Sequence, residues 1–95
     1  MPYCGFVVCF RVLVTGQVQG VGFRAACRRA ALRHGVRGWV RNLPDGNVEA
    51  VLEGPADDVG QVLDWTRNGP PHAVVADVTV QPGQPPGLDT FVIRY

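Results

Sequence analysis

The stretch that decides the fold is Gly16-Gln17-Val18-Gln19-Gly20-Val21-Gly22-Phe23-Arg24. It lies between a run with strand alternation, Phe6 to Thr15, and a run with helical spacing, Phe23 to His34. Three glycines within seven residues interrupt both patterns, so the stretch is predicted to be a strand-to-helix loop. Glycines at such a loop allow positive φ angles and leave the backbone N–H groups unobstructed.

The loop and the start of the helix together form a candidate anion site. A helix that begins directly after the loop adds unpaired N–H groups and the positive end of its dipole. Arg24 lies in the first turn, where its guanidinium can bind the same anion. The alternative is a tight turn whose Arg24 faces solvent, and spacing alone does not choose between the two. A Walker A loop is excluded because the chain contains no lysine, and the glycine spacing differs from G-x-G-x-x-G.

Length and composition indicate one small globular domain. The chain has 95 residues, a hydrophobic share of 46% and a net charge of +1, from nine arginines against eight acids. That balance does not favour nucleic-acid or membrane binding. No run is long enough for a transmembrane helix, and the apolar start, Met1 to Phe10, lacks the basic segment of a signal peptide. We predict a single domain, residues 1–95, that works in the cytoplasm as a monomer, without nucleic-acid or membrane partners.

Cysteine and histidine residues do not predict a metal site or a disulfide framework. The three cysteines, Cys4, Cys9 and Cys27, are odd in number and form no C-x-x-C motif. Cys9 falls in the first strand and Cys27 on the apolar face of the first helix, so both are expected to be buried thiols. His34 and His72 lie at the ends of elements, where structural or solvent-exposed roles are expected.

The rest of the chain alternates between strand and helix patterns. Strands are predicted at about Phe6–Thr15, Val36–Asn42, Asn47–Glu53, Ala73–Gln81 and Thr90–Tyr95, and helices at about Gly22–His34 and Pro55–Gly69. Pro55 is expected at the first helical position of the second helix. The order β-α-β-β-α-β plus a terminal strand predicts an α+β, ferredoxin-like split βαβ sandwich, with two helices on one face of an antiparallel sheet.

Alternation within the strands assigns side chains to the two faces of the sheet. In the second strand Val36, Gly38 and Val40 face one way, and Arg37, Trp39 and Arg41 the other. In the fourth strand one face is predicted to carry Val74, Ala76, Val78 and Val80. Arg41 and Glu49 are expected to pair across the central hairpin at an exposed site, which would contribute only a few tenths of a kcal/mol.

The predicted topology brings Asn42 towards the glycine-rich loop. Strands one and three are adjacent in this topology, so the end of the second strand and the loop after the first lie near each other. A register slip of one residue would turn Asn42 away. Neither histidine nor any acid is predicted nearby, so a reaction here would depend on positioning and charge stabilisation. Phosphoryl transfer can proceed in that way when the leaving group is good, as a carboxylate is. The residues therefore suit a mixed carboxylic–phosphoric anhydride.

Two long motifs resemble those of the acylphosphatase family. The first is Gly16-x-Val18-Gln19-Gly20-Val21-x-Phe23-Arg24, and the second is Gly38-Trp39-Val40-Arg41-Asn42 followed by Gly46-x-Val48. Gly69-Pro70-x-x-Ala73-x-Val75 and Phe91-x-Ile93-x-Tyr95 also resemble that family. The resemblance covers nearly the whole chain, and only the Ala25-Ala26 pair is smaller than expected.

The resemblance implies hydrolysis of small acyl phosphates to a carboxylate and inorganic phosphate. It implies that Arg24 binds the phosphate and compensates its charge, and that the amide of Asn42 orients the attacking water. The backbone N–H groups that would hold the phosphoryl oxygens belong to Gln17, Val18, Gln19, Gly20, Val21 and Gly22. The substrate would accept the proton of the water, and neither a metal nor a cofactor would be needed.

Two other functions are compatible with parts of the sequence. Hydrogenase maturation factors that handle carbamoyl phosphate begin with a similar module and continue into cysteine-rich zinc segments. The given sequence ends at Tyr95, so we expect a free-standing enzyme unless the chain is a fragment. Ferredoxin-like sheets also bind RNA through aromatic and basic residues. Here those would be Trp39 with Arg28, Arg29, Arg33, Arg37 and Arg41, although a solvated helix face and strand edge explain these arginines more simply. The sequence does not identify the physiological acyl phosphate.

Overall fold

A five-stranded sheet carrying two helices forms the part of the chain that the computed structural model describes, residues 7–95. Phe6 and Cys4, named above, lie outside the described residues. The elements in chain order are β1 (Val7–Gln17), α1 (Phe23–Arg33), β2 (Arg37–Asn42), β3 (Val48–Pro55), α2 (Ala56–Asn68), β4 (Val74–Pro82) and β5 (Phe91–Arg94). Pro55 ends β3 and is the N-cap residue of α2, so it precedes the first helical position that the sequence predicted for it.

The strand order in the sheet is β4-β1-β3-β2-β5. β1 pairs antiparallel with both β3 and β4, and β2 pairs antiparallel with β3. The α+β, ferredoxin-like arrangement predicted from the element order is therefore confirmed. β5 joins the sheet parallel to β2, which makes the sheet mixed rather than wholly antiparallel.

The hydrophobic core lies between the sheet and the two helices. The residues that α1 buries are Phe23, Cys27, Ala30 and Ala31, and those that α2 buries are Val59, Val62 and Thr66. The rings of Phe23 and Trp65 lie 5.2 Å apart and join the two helices. The small alanines of α1 let this helix approach the sheet closely. α1 packs against β2, β5 and α2.

The pairing of β1 with β4 is irregular next to the glycine-rich loop. Thr15 pairs with Asp77, whereas Gly16 pairs with Val75. Ala76 of β4 therefore has no partner in β1 and forms a β-bulge. The alternation of β4 changes there: Val75 and Val78 pack against the core, while Val74 is 59% exposed. The predicted common face of Val74, Ala76, Val78 and Val80 is therefore wrong. A Cβ atom at Gly16 would lie 2.2 Å from the carbonyl oxygen of Val74, so only glycine fits this approach.

Glu49 is buried on the sheet face opposite the helices, although an exposed ion pair was predicted for it. The residue is 3% exposed because two guanidinium groups cover its carboxylate. Arg41 donates from Nε to Oε1 over 2.7 Å, and Arg11 of β1 donates to Oε2. Burial raises the pKa of Glu49, but the hydrogen bonds and charges of Arg41 and Arg11 outweigh it and leave this pKa below its ordinary value.

The cysteines of the described residues are both free thiols. Cys27 is fully buried as predicted, and burial raises its pKa to about 12, so it is unreactive at neutral pH. Cys9 is only half-buried, and its pKa is raised by burial and then by the charge of Glu53. Within residues 7–95 no three His, Cys, Asp or Glu side chains are grouped closely enough to hold a metal ion. In the same residues neither helix is long and apolar enough to cross a membrane.

Candidate active site

A pocket of about 180 Å³ opens where the glycine-rich loop meets the ends of β2 and β5. It is lined by Val18, Gly20, Gly22, Phe23, Arg24, Ala25, Asn42, Ile93 and Tyr95. Two stretches far apart in the sequence, the loop with the first turn of α1 and the end of β2, thus contribute to one cavity. Asn42 lies in the same pocket as Arg24 and the loop residues, as the topology predicted.

α1 begins at the pocket, and its N-cap is formed by the backbone of Gly22 rather than by a side chain. Gly22 is the N-cap residue with φ 79° and ψ 20°, a left-handed conformation that residues with a Cβ rarely adopt. In the part of the chain that the structure describes, no side chain makes a capping hydrogen bond there, and the first turn contains no acid. The positive end of the α1 dipole is therefore not compensated from within the helix.

The N–H groups of the loop remain available as donors. Within residues 7–95, no backbone hydrogen bond outside the helices and the sheet has an N–H group of residues 18 to 25 as its donor. The first bond of α1 is donated by Ala26 to the carbonyl of Gly22, over 3.0 Å. Unpaired N–H groups that converge at a helix start bind anions, because donors and dipole act in the same direction.

Asn42 projects into the pocket because of its register in β2. It lies two residues after Val40, which is fully buried, and alternate residues of a strand share a face. Its partner across the hairpin is Val48, also buried, so the register is the one that the hydrophobic pattern required. Asn42 Oδ1 is buried and accepts no hydrogen bond from the described residues. A buried acceptor without a partner is costly, which indicates that a water or ligand satisfies it.

Arg24 carries the positive charge of the pocket. It stands in the first turn of α1, and its guanidinium carbon lies 4.9 Å from the centroid of the Tyr95 ring. This stacking directs the guanidinium across the pocket towards the end of β5. Arg24 and the unpaired loop N–H groups therefore give the pocket a positive potential.

Three residues of the predicted phosphate loop do not line the pocket. Gln17 is the last residue of β1 and pairs with Val74 of β4. Val21 packs against the hydrophobic core. The side chain of Gln19 turns away to the hairpin between β2 and β3, where it donates to the carbonyls of Leu43 and Asn47.

Four residues of the pocket wall were not among the predicted site residues: Phe23, Ala25, Ile93 and Tyr95. Phe23 and Ala25 adjoin Arg24 in sequence, so a helix start at Gly22 could have indicated them. Ile93 and Tyr95 reach the site only because β5 pairs parallel with β2, beside Arg41. No local sequence pattern signals that pairing.

Histidines and the other arginines lie away from the pocket. His34 follows α1 with its Nδ1 3.9 Å from a carboxylate oxygen of Asp58, and His72 is exposed. Neither histidine lines the pocket. The arginines of the alternative RNA interpretation are divided between α1 and the opposite sheet face. On that face the guanidinium groups of Arg41 and Arg94 lie 5.3 and 5.1 Å from the centroid of the Trp39 ring.

The chain is similar to acylphosphatases in both sequence and structure. A family model described as Acylphosphatase matches residues 10–93. A protein of Gloeobacter violaceus named acylphosphatase is 58% identical over 82 residues, which are 86% of this chain and 88% of that protein. The crystal structure of acylphosphatase from Bacillus subtilis has a TM-score of 0.88 and 35% identity, and the match covers 95% of this chain and 100% of that one.

A second group of solved structures matches only in part. The crystal structure of HypF from T. kodakarensis has a TM-score of 0.80 and 32% identity over 90% of this chain. The match covers 12% of the HypF chain, so it concerns one module of a much longer protein. Full-length matches are found instead among the small relatives.

Proposed function

Because this chain belongs to the acylphosphatase family, we propose that its pocket at the start of α1 hydrolyses acyl phosphates to a carboxylate and inorganic phosphate. It is a hydrolase that acts on acid anhydrides. One observation carries the assignment of the site. Unpaired loop N–H groups, the Arg24 guanidinium and the unsatisfied Oδ1 of Asn42 all belong to one pocket of about 180 Å³.

The phosphoryl group is bound by the loop and by Arg24. The residues assigned to binding are Gln17, Val18, Gln19, Gly20, Val21, Gly22 and Arg24, the first six through their backbone. Gly20 and Gly22, with φ angles of 74° and 79°, support this role because the pocket lining includes both. Charge on the transferring phosphoryl group is spread over three equatorial oxygens, which several fixed donors around one arginine can match.

Asn42 orients the attacking water. Its Oδ1 lacks a partner in the described chain, so it can accept a hydrogen bond from that water and fix the direction of the water's lone pair. The water oxygen forms the new bond to phosphorus while the bond from phosphorus to the acyl oxygen breaks. The bonding pair leaves with the carboxylate, and the proton of the water passes to the phosphate product.

The leaving group explains why no general acid is assigned. A carboxylic acid has a pKa of about 4, so its conjugate base departs at neutral pH without protonation. An alkoxide from an ordinary phosphate ester would need such an acid. Selectivity for acyl phosphates over phosphate monoesters follows from this difference.

The oligomeric state, the cellular compartment and the partners of the chain are also part of the proposal. We expect one domain that acts as a monomer in the cytoplasm, on a small acyl phosphate and without nucleic acid. The division of the arginines between α1 and the opposite sheet face supports the absence of an RNA site. Light scattering after size exclusion, and an RNA mobility shift at low salt, test the oligomeric state and the RNA alternative.

The experiment follows hydrolysis of benzoyl phosphate by its ultraviolet absorbance, in the presence of a chelator. The purified chain is expected to hydrolyse it rapidly, and Asn42→Ala to lose about 100-fold or more in kcat, as for the loss of one transition-state partner. The inhibition constant of inorganic phosphate should be the same for Asn42→Ala and for the original chain. Asn68→Ala, at the exposed end of α2, is the matched control and should keep full activity.

Other results would overturn parts of the proposal. A folded chain that leaves benzoyl phosphate intact contradicts the proposed activity, and carbamoyl phosphate is then the next substrate because of the HypF similarity. Full activity in Asn42→Ala would instead remove Asn42 from the mechanism and leave the binding loop standing.

A further inference from the structure

The side chain of Gln19 joins the two halves of the pocket. Its Nε2 donates to the carbonyl oxygen of Leu43 over 2.7 Å and to that of Asn47 over 2.8 Å. A primary amide nitrogen carries two N–H groups, so Gln19 uses both. The backbone of Gln19, meanwhile, lies between Val18 and Gly20, which line the pocket.

The two carbonyls form the base of the turn between β2 and β3. The N–H of Leu43 donates to the carbonyl of Asn47 over 2.8 Å, and the N–H of Gly46 donates to the carbonyl of Leu43 over 3.2 Å. Each carbonyl thus accepts one bond from the turn and a second from Gln19. Leu43 directly follows Asn42, so the amide of Gln19 ties the loop to the backbone that carries Asn42.

We propose that Gln19 is a positioning residue: its side chain sets the distance between the phosphoryl-binding loop and the water held by Asn42. This inference rests on the function proposed above and adds a residue that acts through Asn42. Asn42 Oδ1 has no partner in the described chain, so the backbone around residues 42 and 43 determines where it points. Misplacement of a reacting water by about 1 Å costs on the order of 100-fold in rate.

A side-chain amide meets the requirements of this position without adding a charge. Both partners are carbonyl oxygens, so the side chain must supply two donors from one atom. A leucine has nearly the same size and supplies none. A glutamate has the same shape, but its carboxylate oxygens face two carbonyl oxygens, which raises the pKa of the introduced acid. Once protonated, that acid can donate one of the two bonds.

The first test separates kcat from phosphate binding. Gln19→Leu is expected to lower kcat for benzoyl phosphate by roughly 10- to 100-fold. The inhibition constant of inorganic phosphate should change by less than about threefold, because the backbone donors of the loop remain. Gln61→Leu, on the exposed side of α2, is the matched control and should change neither value. An equal loss in kcat/KM and in phosphate inhibition, or no loss in either, would overturn the proposal.

The second test uses the dependence on pH. The rate of Gln19→Glu relative to the original chain should rise as the pH falls from 7 to 5, since protonation restores a donor. Gln19→Leu should show no such rise. This result stands even if the leucine variant does not fold. A flat ratio for Gln19→Glu, with circular dichroism unchanged over the same range, would contradict the positioning role.

The third test asks whether Gln19 acts through Asn42. In the Asn42→Ala background, Gln19→Leu should lower kcat by less than about twofold, because the group that it positions is gone. Independent multiplicative losses would show a purely structural role. Faster amide hydrogen exchange at Leu43 in Gln19→Leu is expected as well. If the original chain hydrolyses no acyl phosphate, the proposed function fails; if it does and Gln19→Leu retains full kcat, only this inference fails.

Discussion

The two helices begin in opposite ways. α2 follows Pro55 and carries Asp57 and Asp58 in its first turn, whereas α1 follows Gly22 and has no acid there. Within residues 7–95, neither helix start has a capping side chain. The positive end of the α2 dipole is therefore compensated by two carboxylates of its own helix. The same end of α1 is left for an anion from outside, and Arg24 adds to it.

The surfaces around the two helix starts also differ in charge. The charged residues that line the surface depression along α2 are Asp57, Asp64 and Arg67, so two carboxylates face one guanidinium there. Among the residues that the structure describes, no acid lines the pocket at α1. The charges in the first turn thus distinguish the two helix starts. Substitutions that add or remove such charges test whether they decide anion binding.

The largest effect is expected from removing the positive charge at α1. Arg24→Gln should lower kcat/KM for benzoyl phosphate by about 1,000-fold or more, since an arginine on the transferring phosphoryl group has effects of this order. Inhibition by inorganic phosphate should weaken too, unlike in Asn42→Ala. Arg67→Gln, in the last turn of α2, serves as the control and should leave the rate unchanged. A loss below tenfold in Arg24→Gln would show that the loop N–H groups suffice.

The next effect comes from giving α1 an acid like those of α2. Ala25→Asp should weaken phosphate inhibition roughly tenfold, because its carboxylate faces the bound anion across the pocket. The melting temperature should stay equal or rise slightly, since the acid now compensates the dipole. Ala25→Asn has the same size without the charge and should lose much less. Equal losses in both variants would mean that size, rather than charge, governs the pocket.

Glycine-to-alanine substitutions should have opposite signs in the two helices. Gly22→Ala forces a Cβ into a left-handed conformation with φ 79° and should lower the free energy of unfolding by about 1 kcal/mol. Gly60→Ala, inside α2, meets no atom within 4 Å and should raise it by about 0.5 kcal/mol. Urea unfolding measures both. Unchanged stability in Gly22→Ala would show that the start of α1 tolerates a Cβ atom, and destabilisation by Gly60→Ala would contradict the open space around Gly60.

The smallest effect is expected at the start of α2. Asp57→Asn should lower the free energy of unfolding by about 0.3 kcal/mol at low salt, and by less in 1 M salt, because salt screens the dipole interaction. Hydrolysis of benzoyl phosphate should not change. A clear loss of activity would mean that the two helix starts are not independent.

Much of the site was predictable because it is local in sequence. The glycines, the helix start at Gly22 and the place of Arg24 in the first turn follow from residues within one loop. Asn42 was placed by one further step, the topology of the split βαβ sandwich. The side-chain contacts of Gln19 were not predicted, because its partners at Leu43 and Asn47 lie 24 and 28 residues away.

The amino-acid sequence by itself determined the order of helices and strands, the faces of β2 and the uncompensated start of α1. These depend on periodicity, glycine positions and charge within short segments. Only the tertiary structure decided the burial of Glu49 between Arg11 and Arg41. It also decided the unpaired Ala76 of β4 and the parallel pairing of β5 that brings Tyr95 to Arg24. Those features join residues that are distant in the chain. Their distances are set by packing between elements, which short segments of sequence do not determine.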